Sequence, residues 1–244
     1  MENKKGSGIF LGVVSVATLI VAIIGATFAY FSTQTQSNED AVNITAYEFA
    51  TTVTSVERIY PTTDALTGLA GQGIIPLNAN ATVTGGDTTN LLYAVNNKNC
   101  VDDRGYMVCA LYKVTLTNGS ASDAELNLSI KTTANNAGSG TSKFTDLTFQ
   151  ALNGTEGTLT TFGLATTLSG DNGTTVDVNE NETTAITLTV PGSDTLEHYF
   201  VVYLNEATED TDQSTQMGAT YTGQLVYTTT SGGNRLTGSF TIGG

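Results

Sequence analysis

Residues 106–131 read YMVCALYKVTLTNGSASDAELNLSIK, and their pattern indicates the fold class. In its first part every second residue from Tyr106 to Leu116 is apolar. In its last part apolar residues alternate with polar ones from Ala124 to Lys131. A period of two is that of a β-strand, because successive side chains point to opposite faces of the sheet. Asn118-Gly119-Ser120 lies between the two parts and supplies turn residues. The stretch therefore predicts two strands joined by a turn.

The same alternation occurs elsewhere along the chain. Residues 199–204, YFVVYL, are apolar on both faces, which is typical of a central buried strand. We find no helical pattern after Phe31, and the region around 51–100 predicts an irregular insertion, either a long connection or a small hairpin. The sequence predicts an antiparallel β-sandwich, jelly-roll or Ig-like, preceded by one hydrophobic helix. Further strands are predicted at 42–49, 186–190, 221–227 and 236–242.

The chain is acidic, with a formal net charge of −14 and a pI near 4.1. Such a charge repels nucleic acid and anionic membrane surfaces, so neither is an expected partner. The acidic clusters lack the spacing of a calcium-binding loop, and we interpret them as solvated loops instead of metal sites. The sequence predicts no metal and no cofactor. The clusters are Asp171, Asp177, Glu180 and Glu182, and Glu206, Glu209, Asp210 and Asp212.

Export is predicted by residues 9–31, IFLGVVSVATLIVAIIGATFAYF, which contain no charge and follow Lys4 and Lys5. Basic residues before an apolar segment hold the N-terminus in the cytoplasm and direct the rest across the membrane. Hydropathy leaves two interpretations open. The segment is a signal peptide cleaved between Ala29 and Tyr30, or it is a permanent anchor. Either way the body is expected outside the cell or on its surface, with membrane contact only through this segment.

Three stretches resemble a known family. Residues 25–32, GATFAYFS, are similar to the signal sequence of the TasA/camelysin family of Gram-positive bacteria. Residues 111–130 and 198–230 resemble strands and a polar loop of the same family. The resemblance implies cleavage after Ala29 by a dedicated signal peptidase. It also implies an extracellular fibre or biofilm matrix as the destination.

The resemblance divides the chain into three parts: a signal or anchor at 1–29, an N-terminal arm with a first strand at 30–50, and the sandwich body at 51–244. By this resemblance the arm donates a strand to the next subunit of a homopolymer. The candidate buried side chains of the donor are Val42, Ile44, Tyr47 and Phe49. The alternative is a membrane-anchored adhesin or binding module that does not polymerise.

The chain has only two cysteines, Cys100 and Cys109. A two-residue hairpin turning on Arg104-Gly105 places them opposite each other at a non-hydrogen-bonded pair, where Cβ atoms come close enough for a disulfide. Export to a more oxidising compartment favours the bond. Two reduced thiols and a metal pair are the alternatives, and no histidine or further cysteine supports the metal. We predict the disulfide.

Catalytic residues are not predicted. The only histidine is His198, so a zinc-binding H-E-x-x-H pair is absent from the sequence. No G-x-S-x-G elbow and no glycine-rich phosphate loop occurs either. A histidine beside a strand start is usually structural or exposed. The sequence therefore favours a structural or binding protein over an enzyme.

Overall fold

The structure is a computed structural model of the 244-residue chain. It describes residues 51–62, 65–66, 74–78, 90–137, 142–168, 171–177, 187–206, 212–216, 218–230 and 235–243. Within these ranges no helix has both the length and the apolar character needed to cross a membrane. The predicted hydrophobic helix and the predicted strand at 42–49 lie outside them.

The described part is an antiparallel β-sandwich, which confirms the predicted fold class. Its first sheet has six strands, in the order β1-β3-β9-β5-β6, with β2 pairing in parallel to β9. These strands are β1 (Thr51–Tyr60), β2 (Pro76–Leu77), β3 (Cys109–Asn118), β5 (Leu147–Asn153), β6 (Thr160–Thr167) and β9 (Thr195–Asn205).

The second sheet has five strands, in the order β11-β10-β4-β7, with β8 pairing to another part of β4. All of its pairs are antiparallel. These strands are β4 (Ala124–Asn136), β7 (Thr175–Asp177), β8 (Thr187–Val190), β10 (Thr220–Thr229) and β11 (Arg235–Ile242). One short helix, α1 (Leu91–Asn96), and one 3₁₀ turn, Ser214–Gln216, are also present.

Strand β9 is buried on both faces, as its YFVVYL run predicts. Phe200, Val202 and Leu204 belong to the core between the two sheets. Tyr199, Val201 and Tyr203 alternate with them and belong to a second core on the outer face of the first sheet. The rings of Tyr112 and Phe200 stack within the first core, with centroids 4.8 Å apart. A strand between two apolar layers needs no polar face.

The turn Asn118-Gly119-Ser120 carries the chain from the first sheet to the second, since β3 and β4 lie in different sheets. The buried side chain of Asn118 holds this corner. Its Oδ1 accepts from the backbone N–H and the hydroxyl of Ser120, and its Nδ2 donates to the carbonyls of Ser122 and Val190. A buried amide with partners at both ends stabilises the connection.

Two expectations for the region around 51–100 are wrong. Its first ten residues are not irregular but form β1, which pairs with β3 along its length. Two register breaks interrupt this pairing, after Val53 and after Arg58, so a strict period of two is lost. The absence of a helical pattern after Phe31 is also contradicted, because α1 forms at 91–96. This helix is short, and the Asn90 side chain caps it by accepting from Leu92 and Tyr93 N–H.

Candidate functional site

Most of the predicted site residues lie outside the described residues. These are the cleavage pair Ala29 and Tyr30 and the donor-strand residues Val42, Ile44, Tyr47 and Phe49. The remaining predicted pair, Cys100 and Cys109, is described in full.

Cys100 and Cys109 form a disulfide, with their Cα atoms 4.8 Å apart. The hairpin between them differs from the predicted two-residue turn. Tyr106 O accepts from Asp102 N–H and Gly105 adopts a positive φ of 81°, which makes the loop three residues long. The register thereby shifts by one residue. A bulge restores it, because the N–H groups of Val108 and Cys109 both donate to Cys100 O.

The disulfide anchors the second core, which covers the outer face of the first sheet. Both cysteines are fully buried, and they pack with α1 and with the outward residues of β9. Apolar surface removed from water stabilises this layer by about 25 cal/mol per Å². Its members are Leu77, Leu91, Ala94, Val95, Cys100, Val108, Cys109, Leu111, Leu152, Leu159, Tyr199, Val201 and Tyr203.

The sheet edges differ in how well they are protected against a further strand. On the first sheet, β1 has two register breaks and carries Glu57 and Arg58. At its other edge, β6 has a break opposite Gln150, where Gly163 adopts a positive φ of 68°. Charges and bulges are the devices by which edge strands avoid pairing with other chains. Both edges of the first sheet are therefore protected.

On the second sheet, β11 is the unprotected edge. It pairs with β10 from Arg235 to Ile242 without a register break, and it carries no charge and no proline after Arg235. Among the described strands, β11 has a hydrogen-bonded neighbour on one side only. The opposite edge is divided between β7 and β8, which are three and four residues long. Strand β11 is therefore the best template for an added strand.

A cleft of about 490 Å³ lies on the outer face of the first sheet, between α1 and the strands β5, β6 and β9. Seven of its ten lining residues carry a hydroxyl or amide group, and none of these ten described residues is charged. The others are Leu91, Leu92 and Ala165. Apart from Asn90, the polar residues belong to the strands, namely Thr148, Gln150, Thr161, Thr167, Tyr203 and Asn205.

Sequence reasoning missed this cleft because it did not identify β5 and β6. A signal was present in β5, where Leu147, Phe149 and Ala151 face the main core and alternate with Thr148 and Gln150. Strand β6 gives no such signal, since nearly all of its residues are exposed or half-buried and threonine-rich. Its place is set by pairing with β5.

His198 is a buried structural residue. Its side chain lies between the sheets, where Nε2 is 2.8 Å from the Tyr227 hydroxyl. Burial lowers the pKa of His198 to about 4, so the imidazole is neutral at pH 7. Among the described residues, no serine, threonine, cysteine or carboxylate side chain is hydrogen-bonded to it.

The acidic residues in the described ranges do not converge on a metal site. No group of three or more metal-ligating side chains occurs there. Asp171 pairs with Lys143 at 2.7 Å, and this ammonium lowers the pKa of the carboxyl group. Asp212 accepts from Ser214, which lowers its pKa as well. Glu180, Glu182, Glu209 and Asp210 lie outside the described residues.

Comparisons with known proteins leave the chain without an assigned family. No family model matches it, and no curated protein sequence matches it. Among solved structures it is similar to a FixG-related protein from Vibrio parahaemolyticus, at 10% identity over 55% of this chain and 77% of that one, with a TM-score of 0.29. It is also similar to Spo0M, a sporulation control protein from Bacillus subtilis, at 8% identity over 55% of this chain and 42% of that one, with a TM-score of 0.26. At these TM-scores neither likeness bears on function, and the TasA/camelysin resemblance stays a prediction.

Proposed function

We propose that this chain is an exported structural subunit of an extracellular fibre or biofilm matrix, assembled by strand donation from its N-terminal arm. The observation that carries the proposal is the open edge of β11, which is regular and free of charge after Arg235. An added strand gains a full set of backbone hydrogen bonds at such an edge. Residues 25–32 resemble the signal sequence of the TasA/camelysin family, and this resemblance supports export and cleavage by a signal peptidase.

The order of the proposed donor and acceptor along the chain fits an open polymer. Residue 50 continues directly into β1, an edge strand of the first sheet, whereas the acceptor edge belongs to the second sheet. The proposed donor and the proposed acceptor are thus different segments of one subunit. A contact between different surfaces is heterologous and repeats without limit unless its rotation closes a ring.

A matched pair of lysine variants tests the acceptor. In Ser239→Lys a charge is placed at the middle of β11, and in Thr160→Lys the same charge is placed on β6, so both have the same net charge. Lysine on an edge strand opposes pairing with another chain. We expect Ser239→Lys to prevent fibres in electron micrographs and to leave small species in sedimentation, while Thr160→Lys assembles as the unchanged protein does.

Deletion of residues 30–49, which include the four candidate donor side chains Val42, Ile44, Tyr47 and Phe49, tests the donor. We expect it to abolish assembly of the purified protein while the thermal unfolding midpoint of the body stays unchanged. Assembly that survives the deletion would refute strand donation. Assembly that survives in Ser239→Lys alone would refute β11 as the acceptor.

The second candidate function is a membrane-anchored adhesin or binding module that does not polymerise. The neutral polar cleft on the outer face of the first sheet favours it. Intact mass separates the two functions: a chain in the medium that begins at Tyr30 fits the fibre subunit. A chain found only with membranes and retaining residues 4–31 fits the anchored module.

A further inference from the structure

The cleft on the outer face of the first sheet contains a buried hydroxyl group that has no hydrogen-bond partner among the described residues. Tyr203 is only 4% exposed and lines the cleft, yet no described residue forms a hydrogen bond with its hydroxyl. Buried tyrosine hydroxyls ordinarily have a hydrogen-bond partner, and an unsatisfied one destabilises the fold. The Tyr203 O–H is therefore a buried donor without an acceptor in the described part of the chain.

The same cleft also contains a buried acceptor, the side-chain oxygen of Gln150, for which the described ranges hold no donor. Gln150 is 4% exposed, and its Nε2 lies within 3.1 Å of the carbonyl oxygens of Ala151, Phe162 and Gly163. Three carbonyl neighbours fix the amide orientation, because only the nitrogen can donate to them. Its Oε1 then accepts from no described residue.

The two groups are neighbours on one face of the sheet. Thr148 pairs with Tyr203 and Gln150 pairs with Val201, so Tyr203 and Gln150 are diagonal neighbours across β5 and β9. Diagonal positions on one face lie roughly 7–8 Å apart. A small molecule can therefore meet both groups, together with the exposed hydroxyl and amide groups of Thr161, Thr167 and Asn205.

We propose that this cleft binds a neutral saccharide. Each sugar hydroxyl donates and accepts, so one ring can accept from the Tyr203 O–H and donate to Gln150 Oε1. The ten described lining residues offer no charge to a charged ligand, and the net charge of −14 opposes anionic ligands. Leu91, Leu92 and Ala165 provide apolar contact for the carbon face of a ring. The volume of about 490 Å³ lies within the range of roughly 300–1,000 Å³ of small-molecule sites.

The proposal is independent of fibre assembly. The cleft lies on the outer face of the first sheet, whereas the proposed acceptor edge is β11 of the second sheet. A protein that binds sugar without forming fibres, or forms fibres without binding sugar, separates the two.

The test uses the full-length chain in a detergent without a sugar head group, applied to an array of neutral and acidic glycans. The strongest neutral glycan is then titrated calorimetrically against the unchanged protein, Tyr203→Phe and Tyr199→Phe. Tyr199 lies on the same face of β9 but does not line the cleft. We expect Tyr203→Phe to weaken binding about tenfold, as loss of one hydrogen bond does, and Tyr199→Phe to leave it unchanged.

Tyr203→Phe is expected to unfold at the same temperature as the unchanged protein or higher, since the hydroxyl it removes has no described partner. Three results would overturn the proposal: no neutral glycan above background on the array, binding confined to acidic glycans, or equal affinity of Tyr203→Phe and the unchanged protein. Thr167→Val removes a second hydroxyl at an exposed position of the cleft and is expected to weaken binding as well.

Discussion

The Nε2 atom of His198 lies 2.8 Å from the hydroxyl oxygen of Tyr227, and this hydrogen bond joins the two sheets through the core. His198 belongs to β9 and Tyr227 to β10, and both side chains are buried. Burial raises the pKa of Tyr227 and lowers that of His198 to about 4, so both groups are neutral at pH 7. Two neutral polar groups satisfy each other in a core that would otherwise exclude them.

Because the pKa of His198 is lowered in the folded protein, we expect the fold to lose stability in mild acid. The folded-state pKa of about 4 lies below the unfolded value of about 6.5, so between these values only the unfolded chain binds the proton. The contribution of neutral His198 to the free energy of unfolding is therefore fully present above pH 6.5. It is lost progressively as the pH drops towards 4, and the loss is about 2 kcal/mol at pH 5. Urea unfolding at pH 7 and pH 5 measures the difference.

His198→Gln is the control for this pH dependence, since His198 is the only histidine and the variant has no imidazole. We expect its free energy of unfolding to change less between pH 7 and pH 5 than that of the unchanged protein. Equal slopes in the two proteins would contradict the assignment to His198.

Tyr227→Phe removes one partner of the cross-sheet bond and leaves a buried imidazole without its partner. We expect the free energy of unfolding to fall by about 1–3 kcal/mol, the penalty of an unsatisfied buried group. Adding His198→Phe removes the second polar group, so the double variant should lose less than the sum of the two single variants. Strict additivity in denaturant unfolding would show that the two groups do not interact.

Because of the disulfide, we expect the stability of the fold to depend on whether a reductant is present. Cys100 and Cys109 are nine residues apart, and closing such a loop restricts the unfolded chain by about 2–3 kcal/mol in the chain-entropy account. We expect the urea midpoint to fall when unfolding is measured with a reductant. The Cys100→Ala/Cys109→Ala variant should have the same midpoint with and without reductant. A midpoint that is unchanged although both thiols are titrated as free would contradict the expectation.

Gly238 lies at a close contact between the two sheets. A Cβ atom at this position of β11 would lie 2.5 Å from Cγ2 of Val56 in β1. Gly238→Ala should therefore lower the free energy of unfolding by about 1–3 kcal/mol through overpacking. Val56→Ala makes room, so the double variant should be more stable than the sum of the single effects implies. Additive losses in thermal or denaturant unfolding would exclude this contact as the cause.

Local sequence patterns were enough to predict the sandwich, its central strand and the cysteine pair. Alternation in β4 and the two apolar faces of β9 follow from the pleat of a strand, which is a local property. The pairing of Cys100 with Cys109 also depends on neighbouring residues. The turn is one residue longer than predicted, and a bulge at Val108 offsets the register shift that this causes. In each of these cases the deciding interactions lie close together along the chain.

The positions of β1, β6, α1 and the cleft depend instead on contacts between residues that are distant along the chain. Bulges interrupt the alternation of β1, and the exposed strand β6 is specified by its hydrogen bonds to β5. Tyr203 and Gln150 are 53 positions apart, and only the pairing of β5 with β9 brings them to one face. The same holds for His198 and Tyr227, which meet because the two sheets pack together. Sequence periodicity reports the faces of a single strand, whereas these sites depend on which strands become neighbours, and long-range packing decides that.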